Sequence, residues 1–263
     1  MSKDIPAPER LKILVIGDSC TDIYQFGSCS RLSPEAPVPI LKMTTSKEYC
    51  GMASNVYQNL KSFGHEVFLF TQKEIITKTR IVEEKFNHHI LRIDDESSIS
   101  PLNWSDYLGP DLSSFDGFVI SDYNKGFLLK EKTKDLICLL RSFNKTIFVD
   151  TKKEDLSLFS GCIVKINNEE YLNSNKNSEN TELIVTLGSE GAKWKDKTFP
   201  AIKTEVFDVC GAGDTFLAGF VDSYLKNKDV GKSIEFANKC ASIAVTNFGT
   251  YCLNGEDIRE INK

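Results

Sequence analysis

Gly211-Ala212-Gly213-Asp214 sets three small residues directly before a carboxylate. The apolar residues that follow, Phe216, Leu217, Phe220, Val221, Tyr224 and Leu225, recur at helical spacing, which predicts a helix over Thr215–Leu225. Small residues let backbone approach a ligand closely, and the first N–H groups of a helix have no intrahelical partner. Together they form a site for an anion such as a phosphoryl group. A carboxylate there can take a proton from a hydroxyl while the amides hold the phosphoryl group that the hydroxyl attacks. The same loop also reads as an ordinary helix start, with Asp214 stabilising the dipole.

Other polar groups stand just past apolar runs. Asp18 and Asp22 follow the run Leu11–Ile16, where carboxylates accept hydrogen bonds from a polyol or simply occupy a strand-end turn. Cys50-Gly51-Met52-Ala53-Ser54-Asn55 opens a helical pattern; Gly51 permits close approach, and Asn55 offers both donor and acceptor or acts as a cap. Lys152 follows Ile147–Val149 and is placed for a phosphate or for solvent. Asn167 and Glu170 follow Cys162–Ile166; they suit a water-rich Mg²⁺ or a capping box. Thr186, near the end of the run Leu183–Leu187, and Gly188 and Gly191 just past it suit nucleotide phosphates, although no Walker lysine follows them.

These groups need a scaffold of strand ends. The apolar runs named above, with Val67–Phe70 and Gly117–Ile120, predict buried strands. Helical patterns cover Met52–Phe63, closed by Gly64, then Lys130–Phe143, part of Glu169–Leu172, and Gly231–Asn247. Strands interleaved with helices predict an α/β fold with a parallel sheet. Asn173–Thr181 reads as a solvated polar loop. Two segments break the alternation. Ser33–Lys42 contains three prolines and reads as an extended edge or loop; Thr77–Asp94 reads as a hairpin-like pair of strands. They predict a small β lid over the strand ends, where open α/β sheets bind ligands.

Composition narrows the classes. A net charge of −5 gives no global electrostatic case for nucleic acid or anionic membrane. No apolar run approaches the roughly 20 residues that span a bilayer, and the opening MSKDIPAPER has no signal-peptide core, so a cytoplasmic location is expected. The eight cysteines form no CxxC pair, and His65, His88 and His89 match no metal motif, which favours reduced structural thiols.

The stretch VFDVCGAGDTFLAGF resembles the C-terminal signature of the ribokinase-like (PfkB) carbohydrate kinases, and Gly51–Asn55 resembles their N-terminal glycine motif. Within that family the segments GDSCTDIYQFGSCSRLSPEAPVPILK, EIITKTRIV with LRIDDE, SDYNKG and VDTKKED are most similar to the kinase domain of bacterial heptose-7-phosphate kinases. The resemblance runs from Leu11 to about Asp257. It implies a three-layer fold with a mostly parallel sheet and a β lid, at approximately residues 23–49 and 75–96 of a single domain spanning 1–263. It implies Mg-ATP-dependent phosphorylation of O1 of D-glycero-D-manno-heptose 7-phosphate.

Carried over by motif, Asp214 becomes the base, and the amides of Gly211, Ala212 and Gly213 the anion hole. Asn167 and Glu170 become the magnesium and phosphate element, with Lys152 beside them. Thr186, Gly188 and Gly191 form the nucleotide-phosphate loop, and Asn238 borders the adenine pocket. Asp18, Asp22, Gly51 and Asn55 face the sugar, with Arg31, Lys78, Arg80 and Lys125 as candidates for the substrate's phosphate. A homodimer through the lid is also implied. The chain departs from the family pattern in three ways. Met52 replaces a glycine that leaves room for sugar, so the shape of the pocket is expected to differ. The direct run from Phe68–Thr71 into Glu74–Arg80 omits one α/β unit, so the sheet is expected to be smaller at that edge. No nucleotidylyltransferase segment follows Lys263, so that activity is not expected. A kinase for another sugar, and a non-catalytic binding protein with this fold, remain the competing readings.

Overall fold

A computed structural model of the chain describes residues 10–96, 98–175 and 181–262. In chain order the first elements are β1 (Lys12–Gly17), β2 (Ser19–Leu32), β3 (Pro39–Met52), α1 (Ala53–Ser62), β4 (Glu66–Phe70), β5 (Thr77–Glu83), β6 (His88–Asp95), β7 (Gly117–Asp122) and α2 (Lys130–Arg141). There follow β8 (Thr146–Thr151), β9 (Ile163–Asn167), α3 (Asn168–Asn173), β10 (Glu182–Thr186), β11 (Ala192–Trp194), β12 (Lys197–Phe199), α4 (Ala212–Asn227), α5 (Val230–Ala244) and α6 (Gly255–Ile261).

The central sheet has the order β12-β11-β10-β9-β8-β7-β1-β4. Strands β4, β1, β7, β8, β9 and β10 run parallel, and β11 and β12 close one edge antiparallel. Both faces are covered. Along β1, Leu14 and Ile16 join the apolar cluster that holds Leu136 and Leu140 of α2, whereas Ile13 and Val15 join the cluster of α1, α4 and α5. Burial on both faces explains why the strands read as unbroken apolar runs. At the other edge β4 is the last strand, and residues 71–76 lead directly into β5. Among the described residues no further strand lies beyond β4, as the shortened sequence there predicts.

The second sheet has the order β3-β2-β5-β6, with β2 and β5 parallel. It grows straight out of the first: β2 starts two residues after β1 ends, and β3 runs into α1 without a loop. This corrects the reading of Gly17–Asp22 as a strand-end turn. Asp22 sits within a strand of 14 residues, in which Cys20, Asp22, Tyr24 and Phe26 are buried and Thr21, Ile23 and Gln25 between them are only partly so. The alternation was masked because a carboxylate occupies one buried position. Cys50–Met52 likewise closes β3 rather than opening the helix, which begins at Ala53. The predicted loop Asn173–Thr181 includes residues 176–180, which lie outside the described residues. Helix α6 and the short strands β11 and β12 had no sequence expectation.

Gly17 joins the two sheets. A Cβ added there would lie 1.9 Å from the carbonyl oxygen of Ser121 on β7. Gly17→Ala is therefore expected to destabilise the fold by about 3 kcal/mol through forced separation of central strands. Urea unfolding checks this, and an unchanged midpoint would show that β1 and β7 separate without cost.

Candidate active site

Helix α4 starts at Ala212, earlier than apolar spacing alone indicates, because Gly211 takes the left-handed conformation (φ 75°) and caps it. The Thr215 N–H bonds the Gly211 carbonyl at 2.9 Å. A Cβ on Gly211 would fall 2.7 Å from Nδ2 of Asn55, so both conformation and space require glycine. The Ala212 amide donates to the Val209 carbonyl at 3.3 Å. That corrects its assignment to the anion hole. The amides of Gly211 and Gly213 have no backbone acceptor among the described residues and stay available for an anion.

Asp214 lies in the first turn of α4, 2% exposed. Its Oδ2 accepts from Asn55 Nδ2 at 3.0 Å and its Oδ1 from the Tyr123 hydroxyl at 2.7 Å. Asn55 is aimed by Asn59, whose Nδ2 donates to Asn55 Oδ1 at 3.0 Å and leaves the other end of the amide for Asp214. Asn55 therefore orients the carboxylate and is not a helix cap. Burial pushes the Asp214 carboxyl up to about 6, against the lowering effect of the two donated hydrogen bonds. A carboxyl so tuned is ionised at neutral pH yet more basic than an exposed one.

Two residues of the site had escaped the sequence reading. Tyr123 has no periodic signature. Lys165 did leave a signal, a lone charge inside the buried run Cys162–Ile166. Its Nζ pairs with Asp150 Oδ2 at 2.7 Å and would lie 2.9 Å from a Cβ on Gly213, beside the anion hole. Burial, the largest influence, opposes its charge, but the Asp150 carboxylate together with Asp214 and Glu170 holds the ammonium above its ordinary value. Asp150 Oδ1 is buried without a partner.

On the lid side the structure sorts the predicted substrate residues. Asp18 is corrected: its carboxylate is fully buried and accepts the backbone amides of Tyr123 at 2.8 Å, Lys125 at 3.3 Å and Phe127 at 3.2 Å, so it builds the loop after β7. Asp22 forms a buried ion pair with Arg80, whose guanidinium also lies 5.0 Å from the Tyr24 ring centre. Gly51 lets β3 pass Asp22, since a Cβ there would lie 2.3 Å from Asp22 Oδ2. Arg80 is thus committed to Asp22, and Lys125 to Glu96 at 2.6 Å. Arg31 is exposed nine residues beyond Asp22 on β2, about 30 Å along the strand, and is not brought to this site. Lys78 lies opposite Asp22 in the lid register with its Nζ 5.8 Å from the Tyr123 ring centre, and it has no carboxylate partner among the described residues. Met52 takes φ 58° and is 3% exposed within the apolar cluster that includes Cys20, Phe70 and Ile76. Its side chain packs in the core.

On the other side of Asp214, Asn167 and Glu170 form a reciprocal capping box on α3: the Asn167 amide donates to Glu170 Oε2 at 2.7 Å, and the Glu170 amide to Asn167 Oδ1 at 2.8 Å. Lys152 pairs with Glu170, and its Nζ lies 5.3 Å from the Tyr123 ring centre. Thr186 stands beside Asn167 in register, its hydroxyl bonded to the Ile166 carbonyl at 3.3 Å. Gly188 (φ 59°) has open space where a Cβ would be, whereas Gly191 (φ 97°) packs against the Phe199 carbonyl. Asn238 Nδ2 donates to the carbonyls of Phe199 and Pro200, both at 3.1 Å, and ties α5 to the end of β12. Among the described residues no group of three or more His, Cys, Asp or Glu could hold a metal. Glu170, at the start of α3, is the carboxylate there that would hold a Mg²⁺ keeping most of its ligands as water and phosphate.

A doubly covered, mostly parallel sheet, a β lid growing from its first strand, and a buried carboxylate at a glycine-capped helix define a ribokinase-like α/β protein. Solved structures agree on the fold. Phosphofructokinase-2 from Escherichia coli in complex with substrates and products superposes with a TM-score of 0.73 at 17% identity, covering 96% of this chain and 98% of that one. Ribokinase from Arabidopsis thaliana complexed with ribose and ATP gives 0.69 at 13% identity, covering 97% and 99%. Residues 153–254 match the family model described as pfkB family carbohydrate kinase. The bifunctional protein HldE of Helicobacter pylori strain J99 is 33% identical over 94% of this chain, and that of Campylobacter jejuni subsp. doylei is 31% identical over 97%. The chain spans 65% of the length of each of these relatives. These likenesses are to the pfkB family of carbohydrate kinases.

Proposed function

We propose that the chain forms one kinase domain, residues 1–263, that transfers the γ-phosphate of Mg-ATP to O1 of D-glycero-D-manno-heptose 7-phosphate. The product would be the 1,7-bisphosphate, used in the cytoplasm toward ADP-heptose and surface glycans. The observation that carries the reading is Asp214, a buried carboxylate held by Asn55 and Tyr123 at the start of α4. In this reading Asp214 takes the proton from the acceptor hydroxyl. The free Gly211 and Gly213 amides and the Lys165 ammonium hold the transferring phosphoryl group. Glu170 and Asn167, with Lys152, face the nucleotide phosphates across the open loop at Gly188. Bound Mg²⁺ would neutralise charge on those phosphates. The sugar choice is supported by the resemblance of the lid segments and by the similarity to proteins named HldE. The lid also exposes Val38, Met43, Leu91 and Ile93, apolar surface suited to a homodimer.

Of the basic residues first assigned to the substrate's phosphate, Lys78 is the one near Tyr123 without a carboxylate partner among the described residues, and the phosphate-binding role falls to it. Lys78→Ala is expected to raise KM for the phosphosugar about 10–100-fold, the loss of one charge-assisted contact, with kcat and the KM for ATP nearly unchanged. Steady-state kinetics with each substrate varied checks this. An unchanged phosphosugar KM would remove Lys78 from the site.

The overall reading is tested by product formation from ATP and both anomers of the heptose 7-phosphate, beside a panel of other sugars and sugar phosphates. A bisphosphate product from the heptose alone supports it. A second reading, a kinase for an unphosphorylated sugar, is favoured by the pairing of Arg80 and Lys125 with carboxylates. Strict preference for such a sugar would replace the first reading. Sugar binding without ATP turnover would replace both with a binding protein.

A further inference from the structure

Tyr123 lies just past the end of β7 and makes contacts of three kinds, each with a different part of the site. Its hydroxyl donates to Asp214 Oδ1 at 2.7 Å. Its backbone amide is fixed by Asp18 Oδ2 at 2.8 Å. Its ring carries the Lys78 ammonium of the lid strand β5 at 5.8 Å and the Lys152 ammonium after β8 at 5.3 Å, within cation–π reach. The loop that bears it is braced below, where Asp122 Oδ2 accepts from Lys153 Nζ at 2.7 Å and from the Thr151 hydroxyl at 3.0 Å.

We propose that Tyr123 is a positioning residue that fixes the Asp214 carboxylate for proton acceptance and ties it to the lid lysine Lys78. The proposal rests on the kinase reading above. With Asn55 on one oxygen and Tyr123 on the other, the carboxylate is clamped from α1 and from the β7 loop. Each oxygen keeps a second lone pair for an incoming hydroxyl. The clamp matters because misplacement of a reacting group by about 1 Å costs on the order of 100-fold in rate.

The other groups facing Asp214 are Asp150 on β8, Lys165 on β9 and Cys20 on β2. Burial pushes the Cys20 thiol up to about 12, and it keeps the Tyr123 phenol far above its ordinary value, so both remain neutral. The charged neighbours are therefore Asp150, which favours the protonated carboxyl, and Lys165, which opposes it. Tyr123 adds to the Lys165 side by donating to the ionised form.

Tyr123→Phe removes the donor and keeps the ring between the lysines. Its kcat/KM profile is expected to have the acid limb displaced about one pH unit upward, which lowers the rate about twofold at pH 7 and about tenfold at pH 5 and fades at alkaline pH, with an unchanged KM for ATP. Tyr123→Ala is expected to add a higher KM for the phosphosugar, because Lys78 loses its support. A ¹³C titration of the Asp214 carboxyl in the wild type and Tyr123→Phe, without substrate, gives a readout independent of turnover. An upward displacement in the variant supports the proposal, and superimposable titrations and rate profiles overturn it. If the wild type phosphorylates no sugar, the kinase reading fails, and the carboxyl titration still decides the role of Tyr123.

Discussion

Asp214→Asn is expected to lower kcat by about 10²–10⁴-fold while ATP binding persists, because the change removes the proton acceptor and leaves the anion hole intact. The substitution preserves shape. The new amide oxygen can accept from Asn55, and the Tyr123 hydroxyl can rotate to accept from the new NH₂. Wild-type kcat/KM should fall about tenfold per pH unit below about 6, where the buried carboxyl takes up its proton, and the residual rate of the variant should lose that limb. Stability should move the other way. The folded-state pKa lies above the unfolded value, so the ionised carboxylate weakens the folded state at pH 7, and that weakening fades as pH falls through about 6. A neutral Asn escapes it, and a gain of about 1–3 kcal/mol is expected at pH 7. Kinetics across pH, together with urea unfolding, test both halves. A variant with near-normal turnover would show that Asp214 is not the base.

Lys165→Met is expected to damage both folding and rate. Lys165 and Asp150 are buried together, their side chains 7% and 4% exposed. Removing the ammonium strands the Asp150 carboxylate, already one partner short at Oδ1, at a cost of about 3–5 kcal/mol. The same change takes a cation from beside Gly213, for which a loss of about 10²–10³ in kcat is expected by analogy with deleting an oxyanion donor. A double variant, Asp150→Asn with Lys165→Met, separates the effects. It carries no buried charge at this position and should recover most of the stability while remaining slow. Recovery of rate along with stability would confine Lys165 to a structural role.

Much of the scaffold was legible because its signals are local. Apolar runs marked the strands at β1, β4, β7, β8, β9 and β10, and helical spacing marked α1, α2, α4 and α5. The glycine loop before Asp214 showed itself through residue size alone. The failures share a physical cause. The strand β2 was missed because Asp22 breaks its apolar alternation, and that carboxylate is tolerated only because Arg80, brought alongside on β5, neutralises it. Asn55 looked like a cap, and its partner lies 159 residues away. Asp18 looked like a ligand-binding group, and it is consumed by backbone amides of the loop after β7, more than 100 residues away.

The sequence by itself determined the α/β scaffold, the lid segments and the glycine-flanked Asp214, since periodicity, glycine placement and strand-end position are properties of neighbouring residues. Tertiary structure alone decided which charges are free. Arg80, Lys125, Lys152 and Lys165 each meet a carboxylate, whereas Lys78 rests on an aromatic ring. It also brought Tyr123 to Asp214 across 91 residues of chain. Charge pairing and hydrogen bonding depend on distances of a few ångströms between side chains, and only the packed fold sets those distances.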